Sequence, residues 1–162
     1  MIAARAEVVV DATAEDAFAI FTDEIGFWWR QSTRYWNDPD RGLYVRIEPG
    51  VGGRFLEVYD AETGTGFEAG RVTVWEPDRR LGLTWTQVGW PEAVATDIDV
   101  TFEPAGDGTR VRIEQTGFER VGAGADEFRA GYAAGWKELL AWFAERANAR
   151  PEQRAPDREE QT

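Results

Sequence analysis

Apolar residues recur with a period of two through the middle of the chain and with a period near 3.6 at its end. The opening stretch Ala4 to Val10 is rich in β-branched residues and reads as a strand, and Thr13 followed by Asp16 has the form of a capping box with Asp in the acceptor place. A short helix over Ala14 to Phe21 follows, and Thr22-Asp23 can cap a second over Glu24 to Trp29. RQSTRYWNDPDR, Arg30 to Arg41, has no period and reads as a loop with Tyr35 and Trp36 as its anchors. Period-two segments then succeed one another: Leu43 to Glu48, Arg54 to Asp60, Phe67 to Glu76, Arg79 to Val88, Val94 to Glu103 and Thr109 to Phe118. Turns separate them at Pro49 to Gly53, Glu62 to Gly66, Pro77-Asp78, Gly89-Trp90-Pro91 and Pro104 to Gly108. About seven strands joined by hairpins predict an antiparallel sheet with one buried face.

After Gly122 and Gly124, the residues Phe128, Tyr132, Trp136, Leu139, Leu140 and Phe143 share one side of a helix over Ala125 to Ala147. The order is β-α-α-β6-α, an α+β domain over residues 1–148. The charged, Pro-containing remainder, 149–162, reads as a disordered tail.

Composition narrows the chemistry. The 162 residues fit one domain, and 43 % hydrophobic with 13 % aromatic residues supply a core without metal or disulfide. A formal charge of −12 repels nucleic-acid phosphates and anionic membranes. With no Cys and no His, thiolate nucleophiles, zinc-thiolate sites and the commonest general base are absent, so any chemistry rests on carboxylates, Tyr, Arg or water. No apolar run approaches the ~20 residues that span a bilayer, and the basic-then-apolar start of an export signal is missing. The expectation is a cytoplasmic protein with no cofactor. Lys137 is the one lysine, which fits a GC-rich bacterial coding sequence.

The strings VVVDATAEDAFAIFTD, Trp28-Trp29, Gly52-Gly53-Arg54-Phe55, GRVTVWEPDRRLGLTW, DVTFEP with GDGTRVRIEQTGF, and AGWKELLAWF cover nearly everything from Ala6 to Phe143. In that order they resemble the START-like (SRPBCC) superfamily, and within it the branch of the activator of the heat-shock-protein-90 ATPase. The resemblance implies a helix-grip fold, a curved antiparallel sheet around the long C-terminal helix with a ligand pocket between them. It covers lipid and polyketide binders, cyclases, dehydratases and co-chaperones, so it fixes no reaction. The eukaryotic co-chaperones of this kind carry a further N-terminal domain that does not fit in this chain.

In such a pocket, alternation turns Thr96, Ile98, Val100 and Phe102 inward, with Asp97, Asp99 and Thr101 outward. Val111, Ile113 and Gln115 form a second inward set, and Leu81, Leu83, Trp85 and Gln87 a third. The candidate pocket residues are Trp28, Trp29, Trp36, Trp85, Gln87, Ile98, Gln115, Phe128, Tyr132 and Trp136. Gln87 and Gln115 either orient a ligand or pair with each other or a buried water. Tyr132 either offers its phenol to a ligand or is core with its hydroxyl at the rim. The Trp pair either stacks on a flat ligand or lids the core. Glu57 has two registers. Beside Phe55 and Tyr59 it faces the pocket as a possible acid or base; the favoured alternative buries Leu56 and Val58 and leaves Glu57 in water. Arg30, Arg34 and Arg54 either clamp an anion at the mouth or balance surface acids. Asp97-x-Asp99 and Asp38-Pro39-Asp40 lack the glycine-turned loop of a calcium site, and no metal is expected. The leading expectation is a domain that binds a hydrophobic or aromatic small molecule. A cyclase- or dehydratase-like enzyme stands second, and a co-chaperone-like protein partner third.

Overall fold

The structure, a computed structural model, describes residues 3–31 and 34–149. Strand β1 (Ala3–Val10) leads into α1 (Ala14–Thr22), whose first turn is capped where the Thr13 hydroxyl accepts from the Asp16 amide at 3.1 Å. Helix α2 (Ile25–Trp28) follows. The remaining strands are β2 (Tyr44–Ile47), β3 (Arg54–Val58), β4 (Gly66–Glu76), β5 (Arg80–Trp85), β6 (Thr96–Ala105) and β7 (Gly108–Thr116). A 3-10 turn at Phe118–Val121 then feeds the 24-residue α3 (Ala125–Asn148). All seven strands form one antiparallel sheet in the order β1-β7-β6-β5-β4-β3-β2, so every neighbouring pair except β1-β7 is consecutive in sequence. This is the α+β helix-grip architecture, a curled sheet with the long helix laid along it.

The inward sets follow the pleat: Thr96, Ile98, Val100 and Phe102 are buried, as are Leu81, Leu83, Trp85, Val111, Ile113 and Gln115. On the opposite face, cross-strand ion pairs take over, with Arg5 to Glu114 at 2.7 Å, Arg112 to Glu7 at 2.9 Å and Arg80 to Asp99 at 2.8 Å. The face of α3 that meets the core carries Trp136, Leu139, Leu140, Phe143 and Ala147. Phe143 sits fully buried with its ring 5.4 Å from Phe21 and 5.5 Å from Trp28. Truncating such a ring costs about 3–5 kcal/mol. Near its C-terminus, α3 is tied to the first helices by Arg146, which reaches buried Glu24 at 3.0 Å and lies over Phe27.

Strand β3 departs from alternation. Its register against β4 shifts between Phe55 and Leu56, and Phe55, Leu56, Glu57 and Val58 are all buried. Glu57 is therefore not in water; its side chain is covered by the 34–41 loop. Strand β5 ends at Trp85, so Gln87 stands in the loop beyond the strand in which it was expected. The expected charged tail lies, from residue 150 onward, outside the described residues.

Candidate functional site: an indole-walled cavity

Between α3, the end of β5 and the 34–41 loop lies a cavity of about 450 Å³. Its walls are Trp29, Arg34, Tyr35, Trp36, Asn37, Trp85, Gln87, Glu127, Phe128, Gly131, Tyr132, Ala134, Gly135, Trp136 and Leu139. The volume falls within the roughly 300–1,000 Å³ usual for small-molecule sites.

Seven of the ten candidate residues form part of this wall: Trp29, Trp36, Trp85, Gln87, Phe128, Tyr132 and Trp136. The other three lie elsewhere. Trp28 is core, donating its Nε1–H to the Ile20 carbonyl at 3.0 Å and packing on Phe21 and Phe143, whereas Trp29 follows the last residue of α2 in extended backbone, so the two indoles part company at the helix end. Ile98 is a buried sheet residue. Gln115, fully buried, accepts from Trp136 Nε1 at 2.8 Å and donates to Thr96 Oγ1 at 2.8 Å. It pins the α3 indole to the sheet and does not pair with Gln87. Both of its polar ends are satisfied by protein, as buried amides generally are.

The polar part of the cavity is a short chain of hydrogen bonds. Trp85 Nε1 donates to the Tyr132 hydroxyl at 2.7 Å, and that hydroxyl in turn donates to Gln87 Oε1. Burial pushes the Tyr132 phenol above its usual value, so it stays neutral. A neutral phenol with one lone pair left over can take a ligand hydroxyl, or turn from Gln87 to donate to a ligand carbonyl.

Glu57 is not in the cavity wall. Its Oε1 accepts from the Asn37 amide at 2.7 Å and from Asn37 Nδ2 at 3.2 Å; its Oε2 accepts from the Asp38 amide at 2.8 Å and from the Tyr59 hydroxyl at 2.6 Å. These donors hold the carboxylate as a clamp on the loop that carries Trp36 and Asn37. Asn37 Oδ1 accepts from the Val88 amide at 2.9 Å, which ties the same loop to the one bearing Gln87. Trp36 Nε1, donating to the Arg30 carbonyl at 2.9 Å, closes the loop on itself.

At the mouth, the Tyr35 hydroxyl donates to Glu138 at 2.9 Å, and Arg34 lies 3.6 Å from the same carboxylate. Burial and then Glu138 push the Tyr35 phenol upward. Gly135 makes room for this loop, since a Cβ there would sit 3.0 Å from the Tyr35 ring. Arg30 pairs with Glu145, and Arg54 with Glu48 at 2.7 Å, both away from the cavity. Asp97 and Asp99 are held by Arg120 and Arg80, Asp38 by Arg41, and no group of three or more metal-ligating side chains occurs among the described residues.

Asn37, Glu127, Gly131, Ala134 and Leu139 are wall residues outside the ten candidates. Three of the helical ones have a signal: 131, 134 and 139 continue the 128-132-136 stripe at spacings of three and four. Asn37 had none, because a loop without a period gives no orientation. Trp90 was read only as a corner, yet it is buried with its ring 5.5 Å from Phe128 and 6.0 Å from Tyr132, backing the cavity wall.

A family profile, described as Activator of Hsp90 ATPase homolog 1-like protein, matches residues 11–148. Among solved structures, Txn09, an anthrahydroquino-gamma-pyrone synthase, is 33 % identical over 90 % of this chain and 96 % of its own, with a TM-score of 0.58. Protein MLL2253 from Mesorhizobium loti is 21 % identical over 88 % and 94 % of the two chains, with a TM-score of 0.64. The Aha1 dimer from Colwellia psychrerythraea is 17 % identical over 91 % and 97 %, with a TM-score of 0.65. The last two likenesses concern the fold. No curated protein matches the chain. No helix among the described residues is long and apolar enough to cross a membrane.

Proposed function

The chain belongs to the Activator of Hsp90 ATPase homolog 1-like family, and on that premise we propose that its cavity binds a flat aromatic small molecule of the polyketide class. The observation that carries this reading is the cavity wall itself. Trp29, Trp36, Trp85 and Trp136 stand around one space together with Phe128 and Tyr132, an array suited to stacking and edge contacts with a planar ring system. The Trp85–Tyr132–Gln87 chain supplies one oriented polar contact beside those rings. The 33 % identity to Txn09, an anthrahydroquino-gamma-pyrone synthase, supports the ligand class. A soluble hydroxyanthraquinone is the first probe: saturable quenching of tryptophan emission, together with a rise in melting temperature, is expected. Neither effect at probe saturation would end this reading.

That same identity favours a second reading, in which the ligand is transformed in the cavity. Tyr132, the buried neutral phenol, would then hold a substrate oxygen while the rings fix its plane. Protein-dependent appearance of a new chromophore from an anthrahydroquinone-type precursor, lost in Tyr132→Phe, would establish it; an unchanged precursor spectrum leaves a carrier or sensor. A heat-shock partner is what the family's description names, but the Aha1 likeness is 17 % identical and concerns the fold, and no feature of the cavity favours that reading. A cytoplasmic location belongs to the same proposal.

A further inference from the structure

Of the four indoles in the cavity wall, three have their N–H groups paired. Trp36 donates to the Arg30 carbonyl, Trp85 to the Tyr132 hydroxyl and Trp136 to Gln115. The fourth, Trp29, is 4 % exposed, and its Nε1–H has no hydrogen-bond partner among the described residues. The rings packed against it, Phe55, Trp85 and Trp136, have centroids 5.4, 6.0 and 5.8 Å away and carry no oxygen acceptor. A buried donor without an acceptor is costly, and native proteins keep few of them without a use.

Gly131, in the middle of α3, is the second anomaly. Glycine is the poorest helix former after proline, and neither backbone nor packing asks for it here. Its φ is not left-handed, and a Cβ built on it meets nothing within 4 Å. Unlike Gly135, it yields to no protein neighbour. It is an exposed part of the cavity wall, whereas Trp29 is a buried part of the same wall.

Resting on the aromatic-ligand reading, we propose that the natural ligand carries an oxygen acceptor, a ring carbonyl or phenolate, at its buried end. That oxygen takes the Trp29 Nε1–H, and the outer edge of the ring system lies over the bare helix backbone at Gly131. Trp29 then selects for oxygenated rings over plain hydrocarbons, and Gly131 sets the width of the entrance.

The test uses fluorenone and fluorene, a flat pair that differs by one carbonyl, measured by equilibrium dialysis on the full chain. In Trp29→Phe the fluorenone-to-fluorene affinity ratio should fall about 5–10-fold relative to wild type, the loss of one buried hydrogen bond. In Gly131→Leu both probes should weaken by about 10-fold or more while the melting temperature stays level or rises. Wild-type protein gives an independent readout if Trp29→Phe folds poorly: one indole N–H proton resonance should move downfield with fluorenone and stay in place with fluorene. An unchanged affinity ratio, or an indole signal blind to the carbonyl, overturns the acceptor while the cavity reading stands. Binding in Gly131→Leu equal to wild type overturns the entrance. If neither probe binds wild type, the aromatic-ligand reading falls and takes this inference with it.

Discussion

Substituting Glu57→Gln tests whether the cavity is held in shape from behind. In the native protein each carboxylate oxygen accepts from two donors, Oε1 from Asn37 N and Nδ2, Oε2 from Asp38 N and the Tyr59 hydroxyl. An amide replaces one of those oxygens with an NH₂, so the donors on that side lose their acceptor; the Tyr59 hydroxyl can turn to accept, but the N–H donors of Asn37 and Asp38 cannot. Hydrogen bonds to a charged acceptor contribute about 1.5–3 kcal/mol each. Asn37, Asp38 and Tyr59 are half-buried, so water recovers part of the loss. The net destabilisation works out at about 2–4 kcal/mol. Urea unfolding followed by tryptophan emission measures it, with the slope checked for constancy so that the midpoint shift reports stability. The same variant should also bind the hydroxyanthraquinone probe more weakly, because the loosened loop carries Trp36 and Asn37. A stability within about 0.5 kcal/mol of wild type would refute the clamp, since surface substitutions stay inside that margin.

Tyr132→Phe leaves the Trp85 N–H and Gln87 Oε1 without each other's bridge and should cost about 1–2 kcal/mol, read from the urea midpoint and accompanied by weaker probe binding. Arg54 holds the Glu48 carboxyl down to about 2 from the usual 4.5, through hydrogen bonds from its side chain and then its backbone. This depressed value makes the pair's contribution complete above pH 4.5 and lost as pH falls toward about 2. Arg54→Gln should therefore lower neutral-pH stability, modestly because the pair is partly exposed and screened, and flatten the acid limb of a stability-against-pH curve. At the other extreme, burial raises the Tyr59 and Tyr132 phenols, so stability should decline as pH rises beyond their ordinary value of 10.0, with tyrosinate absorbance appearing late and together with unfolding. Arg146→Met removes an ion partner of buried Glu24 and should cost about 3 kcal/mol, with Glu24→Gln in the same background recovering much of it in a thermal melt.

The gap between the site as read from sequence and as folded has identifiable causes. Strands β6 and β7 were legible because each has one face against the core and one against water, so residue type alternates with the pleat. On β3 both faces are covered, the register shifts, and the alternation that would have placed Glu57 is lost. The Trp28-Trp29 pair shows the same limit at a helix. Composition made both residues equal candidates, but one indole joins Phe143 in the core and the other opens on the cavity.

The sequence by itself determined the element order, the antiparallel sheet, the inward sets of the long strands and the apolar stripe of α3, because each rests on a local period that a helix or a strand must obey. It also determined what chemistry is missing, since a chain without His or Cys cannot borrow them. Only the tertiary structure decided which aromatic rings share a cavity, that Glu57 braces a loop instead of facing solvent, and that, of the four indoles lining the cavity, Trp29 is the one whose N–H has no partner among the described residues. Those facts join residues about 20 to 100 positions apart, such as Asn37 with Glu57 and Trp29 with Trp136. A period along the chain states which way a side chain points, and the packing of distant segments decides what it meets there.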